Sequence, residues 1–151
     1  MRLVIKTFVR SSLSDARTGF TQALFLKLNP PFPPVKLKQF DGCKTGDIVH
    51  LELNFLLFWQ EWISLITRDG NDDKEWWFID EGTKLPFFLK TWKHHHRVVR
   101  VTADISEIID DVTFSTGTIL TDLLMYPALY LQFVYRKPIY KRFFDSPKGR
   151  K

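Results

Sequence analysis

From residue 35 to residue 115 the chain is a series of short segments in which apolar and polar residues alternate, and after them comes one long segment with helical spacing. Few folds accept that order. The segment 47–56, DIVHLELNFL, alternates most cleanly: Val49, Leu51, Leu53 and Phe55 fall on one face, and His50, Glu52 and Asn54 on the other. A strand sends successive side chains to opposite faces, so this pattern makes a sheet with one apolar side. Similar runs are read at 35–40, 58–67, 75–81, 89–102 and 106–115, with a first strand over roughly 2–10. Turn residues separate them, among them DGCKTG at 41–46 and the polar RDGNDDK at 68–74, which predicts a hairpin turn. Seven strands joined mostly by short turns imply a meandering antiparallel sheet.

Two short helices are expected after the first strand. Ser12 or Ser14 caps the first, Asp15 suits its first turn and Gly19 breaks it. FTQALFLKL, 20–28, makes the second, which the four prolines of NPPFPP end. In the last segment, 117–144, Leu120, Leu123, Leu124, Tyr130, Phe133 and Val134 recur at helical spacing. They predict a long helix with one wide apolar face, kinked or locally broken at Pro127 and Pro138. This helix is the only element able to cover the sheet. The fold class is therefore α+β: a curved antiparallel sheet of about seven strands wrapped around a long C-terminal helix, with a cavity between them. The 151 residues suit a single domain, 1–151, with about 146–151 as a flexible basic tail.

Aromatic residues make up 15% of the chain, including 14 Phe and 5 Trp, more than packing alone requires. Facing inward, they would line an apolar cavity. The net charge of +5 is concentrated at one end, where residues 136–151 hold seven basic residues against one acid. Such charge suits the end of a helix and a frayed tail. It is not interleaved with exposed aromatics, as a nucleic-acid groove would need, so no nucleic-acid partner is expected. Cys43 is the only cysteine, which excludes a disulfide framework and a zinc ribbon. The opening MRLVIKTFVR alternates and carries charges, unlike a signal peptide, and no apolar run reaches the ~18–20 residues of a membrane span. A soluble cytoplasmic protein without stable membrane insertion is expected. Trp76 and Trp77 are adjacent on a strand and must face opposite ways, and an outward tryptophan permits a homodimer.

TWKHHHRVV, 91–99, carries three of the four histidines. Lys93 and Arg97 prefer water, which puts His95 outside. Trp92 and Val98 prefer the interior, which puts His94 and His96 inside. Two inward histidines two residues apart are half of a zinc site, for which Asp80 and Asp110 are candidate third ligands. The sequence has no stronger metal spacing such as HExxH, and neither a metal nor a cofactor is assigned. The same residues suit general acid–base work, with His94 or His96 serving cyclase or dehydratase chemistry. No nucleophile, phosphate loop or cofactor motif accompanies them. A polar patch that orients one end of an apolar ligand is therefore the preferred reading.

Several short motifs occur together in order: Trp62 with LIT at 65–67, Phe78 with Asp80, Pro86-Phe87, Trp92 to His96, Asp110-Asp111-Val112-Thr113-Phe114, and FVYR at 133–136. In this order they resemble the SRPBCC or START-like superfamily, the helix-grip fold of the major birch pollen allergen and the polyketide cyclases, and more narrowly its small bacterial ligand-binding proteins. The chain departs from that pattern where Leu85 replaces a glycine, Phe114 a tyrosine, and Ser115-Thr116-Gly117 a proline. The resemblance implies a cavity for an apolar small molecule that is lipid-like, polyketide-like or aromatic. Its expected contacts are Trp62, Phe78, Asp80, Trp92, His94, His96, Asp110, Tyr126, Tyr130 and Arg136. The tyrosines would lie on a sheet-facing helical stripe. Arg136 would hold an acidic head group or pair with a carboxylate near the mouth.

Overall fold

The structure is a computed structural model, and it describes residues 1–146. The expected basic tail therefore lies outside the described residues, apart from Ser146. Strand β1 (Arg2–Val9) is followed by helices α1 (Leu13–Gly19) and α2 (Gln22–Lys27). Six strands come next: β2 (Val35–Phe40), β3 (Ile48–Asn54), β4 (Trp59–Asn71), β5 (Glu75–Lys84), β6 (Thr91–Arg100) and β7 (Ser106–Ser115). Helix α3 (Ile119–Asp145) ends the described chain. The strands form one curved sheet in the order β1-β7-β6-β5-β4-β3-β2, every pair antiparallel. This is the expected α+β helix-grip architecture.

Local chemistry sets the element ends. The Ser12 hydroxyl accepts from the Asp15 N–H at 3.1 Å and caps α1. Thr118 caps α3 in the same way, accepting from the Thr121 N–H at 3.2 Å. Two boundaries differ from the sequence reading. The 68–74 segment is not all turn: β4 continues to Asn71, and only residues 72–74 reverse the chain. There Asp72 accepts from the N–H groups of Lys74 and Glu75, both at 2.8 Å. At the other end of β5, strand pairing runs on to Lys84, past the expected end at residue 81.

Helix α3 runs unbroken through Pro127 and Pro138, so no local break occurs there, and its apolar face differs from the expected one. Its buried side is Asp122, Leu129, Phe133, Tyr140 and Phe144, whereas Leu120, Leu123, Leu124 and Tyr130 are exposed. The first turn explains the rotation. Asp122 accepts from the Thr116 N–H at 2.5 Å and its hydroxyl at 2.8 Å, which points Asp122 inward and the leucines out.

The core has two packed ends. One gathers α1, α2 and the last turns of α3 around Trp76, Phe78 and Tyr140. The other gathers Trp92, Phe114, Leu129 and Phe133 with residues of β1 and β7. No helix among the described residues is long and apolar enough to cross a membrane.

Candidate ligand cavity and its histidine–aspartate cluster

Between the sheet, α2 and the middle of α3 lies a cavity of about 610 Å³. Alternation places Val49, Leu51, Leu53 and Phe55 of the β3 segment on one wall. Leu24, Phe25 and Leu28 of α2 cover it, and Met125, Leu129 and Phe133 of α3 close the opposite side. Phe32 and Phe87 line the cavity while remaining 55% and 66% exposed, which marks the mouth between the 29–34 and 85–90 loops.

One patch of this apolar wall is polar. The register of β5, β6 and β7 puts Asp80 directly opposite His94, and His96 directly opposite Asp110. The hydrogen bonds instead run diagonally. His94 Nε2–H donates to Asp110 Oδ1 at 2.9 Å, and His96 Nε2 lies 3.0 Å from Asp80 Oδ2. The two imidazoles lie face to face at a 33° tilt, with ring centres 3.4 Å apart. Trp92 Nε1–H donates to the other Asp80 oxygen at 3.1 Å. Arg136, lying over the Phe133 ring, brings its guanidinium within 3.8 Å of Asp110 Oδ1, and the Tyr140 hydroxyl donates to the same oxygen at 3.4 Å. His95 faces outward, edge-on to Trp77, as the alternation requires.

Electrostatics follow from this packing. Burial pushes His94 down to about 4, and the neighbouring His96 adds to the effect, so His94 is neutral at pH 7. Burial acts to raise Asp80, but the hydrogen bond from His96, the charge of His94 when protonated and the donor from Trp92 outweigh it and hold it below its ordinary value. Asp110 is likewise raised by burial but held low overall by its bond from His94 and by Arg136. Burial raises Tyr140, and the adjacent Asp110 carboxylate adds to that. The patch therefore presents carboxylates, a guanidinium and a neutral imidazole to an otherwise apolar space. A neutral His94 suits hydrogen bonding or ligation better than proton donation near neutrality.

Of the residues singled out in the sequence, Trp62, Phe78, Asp80, Trp92, His94, His96 and Arg136 line the cavity. Asp110 stands behind them, 1% exposed, bonded to His94. Tyr126 and Tyr130 are outside the lining and stack on each other at 6.3 Å. The rotation of α3 that exposes its leucines turns Met125, Leu129 and Gln132 to the cavity in their place. The sequence reading also left out Leu24, Phe25, Cys43 and Ser64, which line it. Ser64 was findable, being two residues from Trp62 on a strand and accepting its indole N–H at 3.0 Å.

No family model matches the sequence, and no curated protein matches it. Solved structures do match in shape. The Zhui aromatase/cyclase from Streptomyces sp. R1128 superposes with a TM-score of 0.66 at 11% identity, covering 93% of this chain and 90% of that one. Norcoclaurine synthase from Thalictrum flavum, in complex with dopamine and hydroxybenzaldehyde, gives 0.62 at 13% identity, covering 89% and 82%. Ara h 8.0201 gives 0.59 at 11% identity, covering 91% and 95%. The chain thus has the SRPBCC, birch-pollen-allergen-like fold.

Proposed function

We propose that this protein binds a hydrophobic small molecule, lipid-like, polyketide-like or aromatic, in the cavity between the sheet and α3. The observation that carries this reading is a cavity of about 610 Å³ with apolar walls and one convergent polar patch. Small-molecule sites have this size and this composition, with burial supplying affinity and a few placed polar groups supplying orientation. Aromatic side chains from the sheet and loops would take the apolar body. His96, Asp80 and Arg136 would hold one polar end, with Asp110 fixing His94 and Arg136 from behind. The norcoclaurine synthase of the same fold holds dopamine and hydroxybenzaldehyde, both aromatic with polar substituents, which agrees with a ligand of mixed character.

The test is native mass spectrometry of the purified protein, before and after extraction with organic solvent. The extracted protein is then titrated with a fluorescent fatty acid and with a naphthalene-sulfonate dye. A co-purified organic mass, or saturable one-to-one uptake that extraction restores, supports the reading. Absence of both overturns it.

A further inference from the structure

The polar patch has a geometry that hydrogen bonding to a ligand does not require. Asp80, His94 and His96 each offer one donor atom, and these atoms lie within 4.8 Å of one another. His94 Nδ1 is 3.6 Å from Asp80 Oδ2, and His96 Nε2 is 3.0 Å from the same oxygen. Zinc bonds to nitrogen and carboxylate oxygen of ~2.0–2.2 Å set the ligand-to-ligand edges of a tetrahedron at ~3.3–3.6 Å. The two observed edges fall at or close to that range.

The far sides of Asp80 and His94 are fixed as a metal site needs. Trp92 occupies Asp80 Oδ1 and leaves Oδ2 for the centre. Asp110 accepts the His94 Nε2 proton, which directs the Nδ1 lone pair toward Asp80. His96 Nδ1 is buried without a hydrogen-bond partner. Ligation through Nε2 places the imidazole proton on Nδ1, and Asp110 Oδ1 lies 3.7 Å from that nitrogen. That distance is beyond a hydrogen bond, and a small shift of either side chain would let one carboxylate back both histidines.

We propose that Asp80, His94 and His96 bind a divalent first-row transition metal ion, represented by zinc, at the cavity wall. Two imidazoles and one carboxylate match that class, whereas magnesium and calcium want a shell of oxygens. Three protein ligands leave a position open, and all three residues line the cavity, so the open position faces its occupant. The metal site stands on the donor atoms alone. That its open position receives the polar end of a hydrophobic ligand rests on the function proposed above.

The experiment uses full-length, tag-free protein stripped with a chelator. It is titrated with Zn²⁺ by calorimetry and with Co²⁺ by visible absorption. One equivalent should bind, with the intense cobalt spectrum of a four-coordinate site. Trp92→Phe should weaken binding by ~10–100-fold, as loss of a supporting hydrogen bond does. Asp80→Asn and His96→Gln should weaken it further. His50→Gln, which removes the imidazole paired with Glu61 elsewhere on the sheet, should leave it unchanged. Circular dichroism confirms that each variant is folded, and the wild-type cobalt spectrum does not depend on any variant. No saturable uptake by wild type overturns the site, as does uptake lost in His50→Gln and kept in folded Asp80→Asn. Dye uptake measured on the same samples separates the two proposals. Metal binding with neither dye uptake nor a co-purified organic mass leaves the site standing and removes the ligand reading, and dye uptake without metal does the reverse.

Discussion

His94 donates to Asp110, two positions diagonal from it on the neighbouring strand, although Val112 is its direct cross-strand partner. The diagonal reach is what makes the cluster a unit. It ties β6 to β7 beneath the cavity, while the His96 contact with Asp80 ties β6 to β5.

Asp110 is the keystone of that unit, being 1% exposed and in contact with His94, Arg136 and Tyr140. Asp110→Ala strips the partner from a buried imidazole and leaves a partly buried guanidinium unpaired. It should cost about 3–5 kcal/mol, the usual effect of breaking a buried charged pair. Urea unfolding with an unchanged slope measures it.

Asp122 makes stability acid-sensitive at the start of α3. The Thr116 N–H and hydroxyl hold its carboxyl below the ordinary value despite burial, so the folded state favours the ionised form. For an acid whose folded value is depressed, the stabilisation is full above the unfolded value near ~4 and is lost as pH falls through the folded value. Asp122→Asn should therefore be less stable than wild type at about pH 6, by a margin that is smaller at about pH 2.5. Urea midpoints of both proteins at the two pH values check this.

Cys43 should be chemically quiet. Burial, aided by the Asp47 charge, pushes its thiol up to about 12, and its S–H points at the Phe20 carbonyl, 3.8 Å away. At pH 8 only about one thiol in ten thousand is ionised, so labelling by a disulfide reagent should be slow until urea opens the fold. Because Cys43 also lines the cavity, a bound hydrophobic probe should slow it further. Labelling rates with and without the probe decide the point.

Filling the cavity should separate binding from stability. Leu51 is half-buried on the cavity wall, beside Trp62 on the next strand. Leu51→Trp has empty space to enter and should change stability by less than ~1.5 kcal/mol while abolishing saturable dye uptake. The same enlargement at Val112, which is fully buried, meets packed atoms and should cost ~1–3 kcal/mol.

The sequence reveals the inner face of the sheet well because a strand has a strict period of two. Flanking residues decide which histidines turn inward: Trp92 and Val98 carry His94 and His96 into the fold, and Lys93 and Arg97 carry His95 out. The helix is harder to read. Residues 119–134 are apolar nearly all round, so periodicity does not choose a face, and a hydrogen bond from Thr116 to Asp122 does. That is why Tyr126 and Tyr130 looked like cavity residues. The 68–74 turn misled for a different reason. Asp69-Gly70 has hairpin composition, yet Gly70 sits in β4, where a side chain would meet the Trp77 ring at 2.6 Å. Glycine serves close packing there, and the actual turn lies just beyond.

The strand order has a consequence for how this molecule comes into being. Strand β1 occupies one edge of the sheet, and its single neighbour is β7, with Arg2 paired to Thr113 and Val9 to Ser106. Strand β1 therefore waits, unpaired and half apolar, until β7 has been made. Pairing across such sequence distance makes folding slow, because loop closure is opposed by entropy before any contact rewards it. The same delay leaves the edges of β1 open to a second chain, a route to aggregation while the chain is being made.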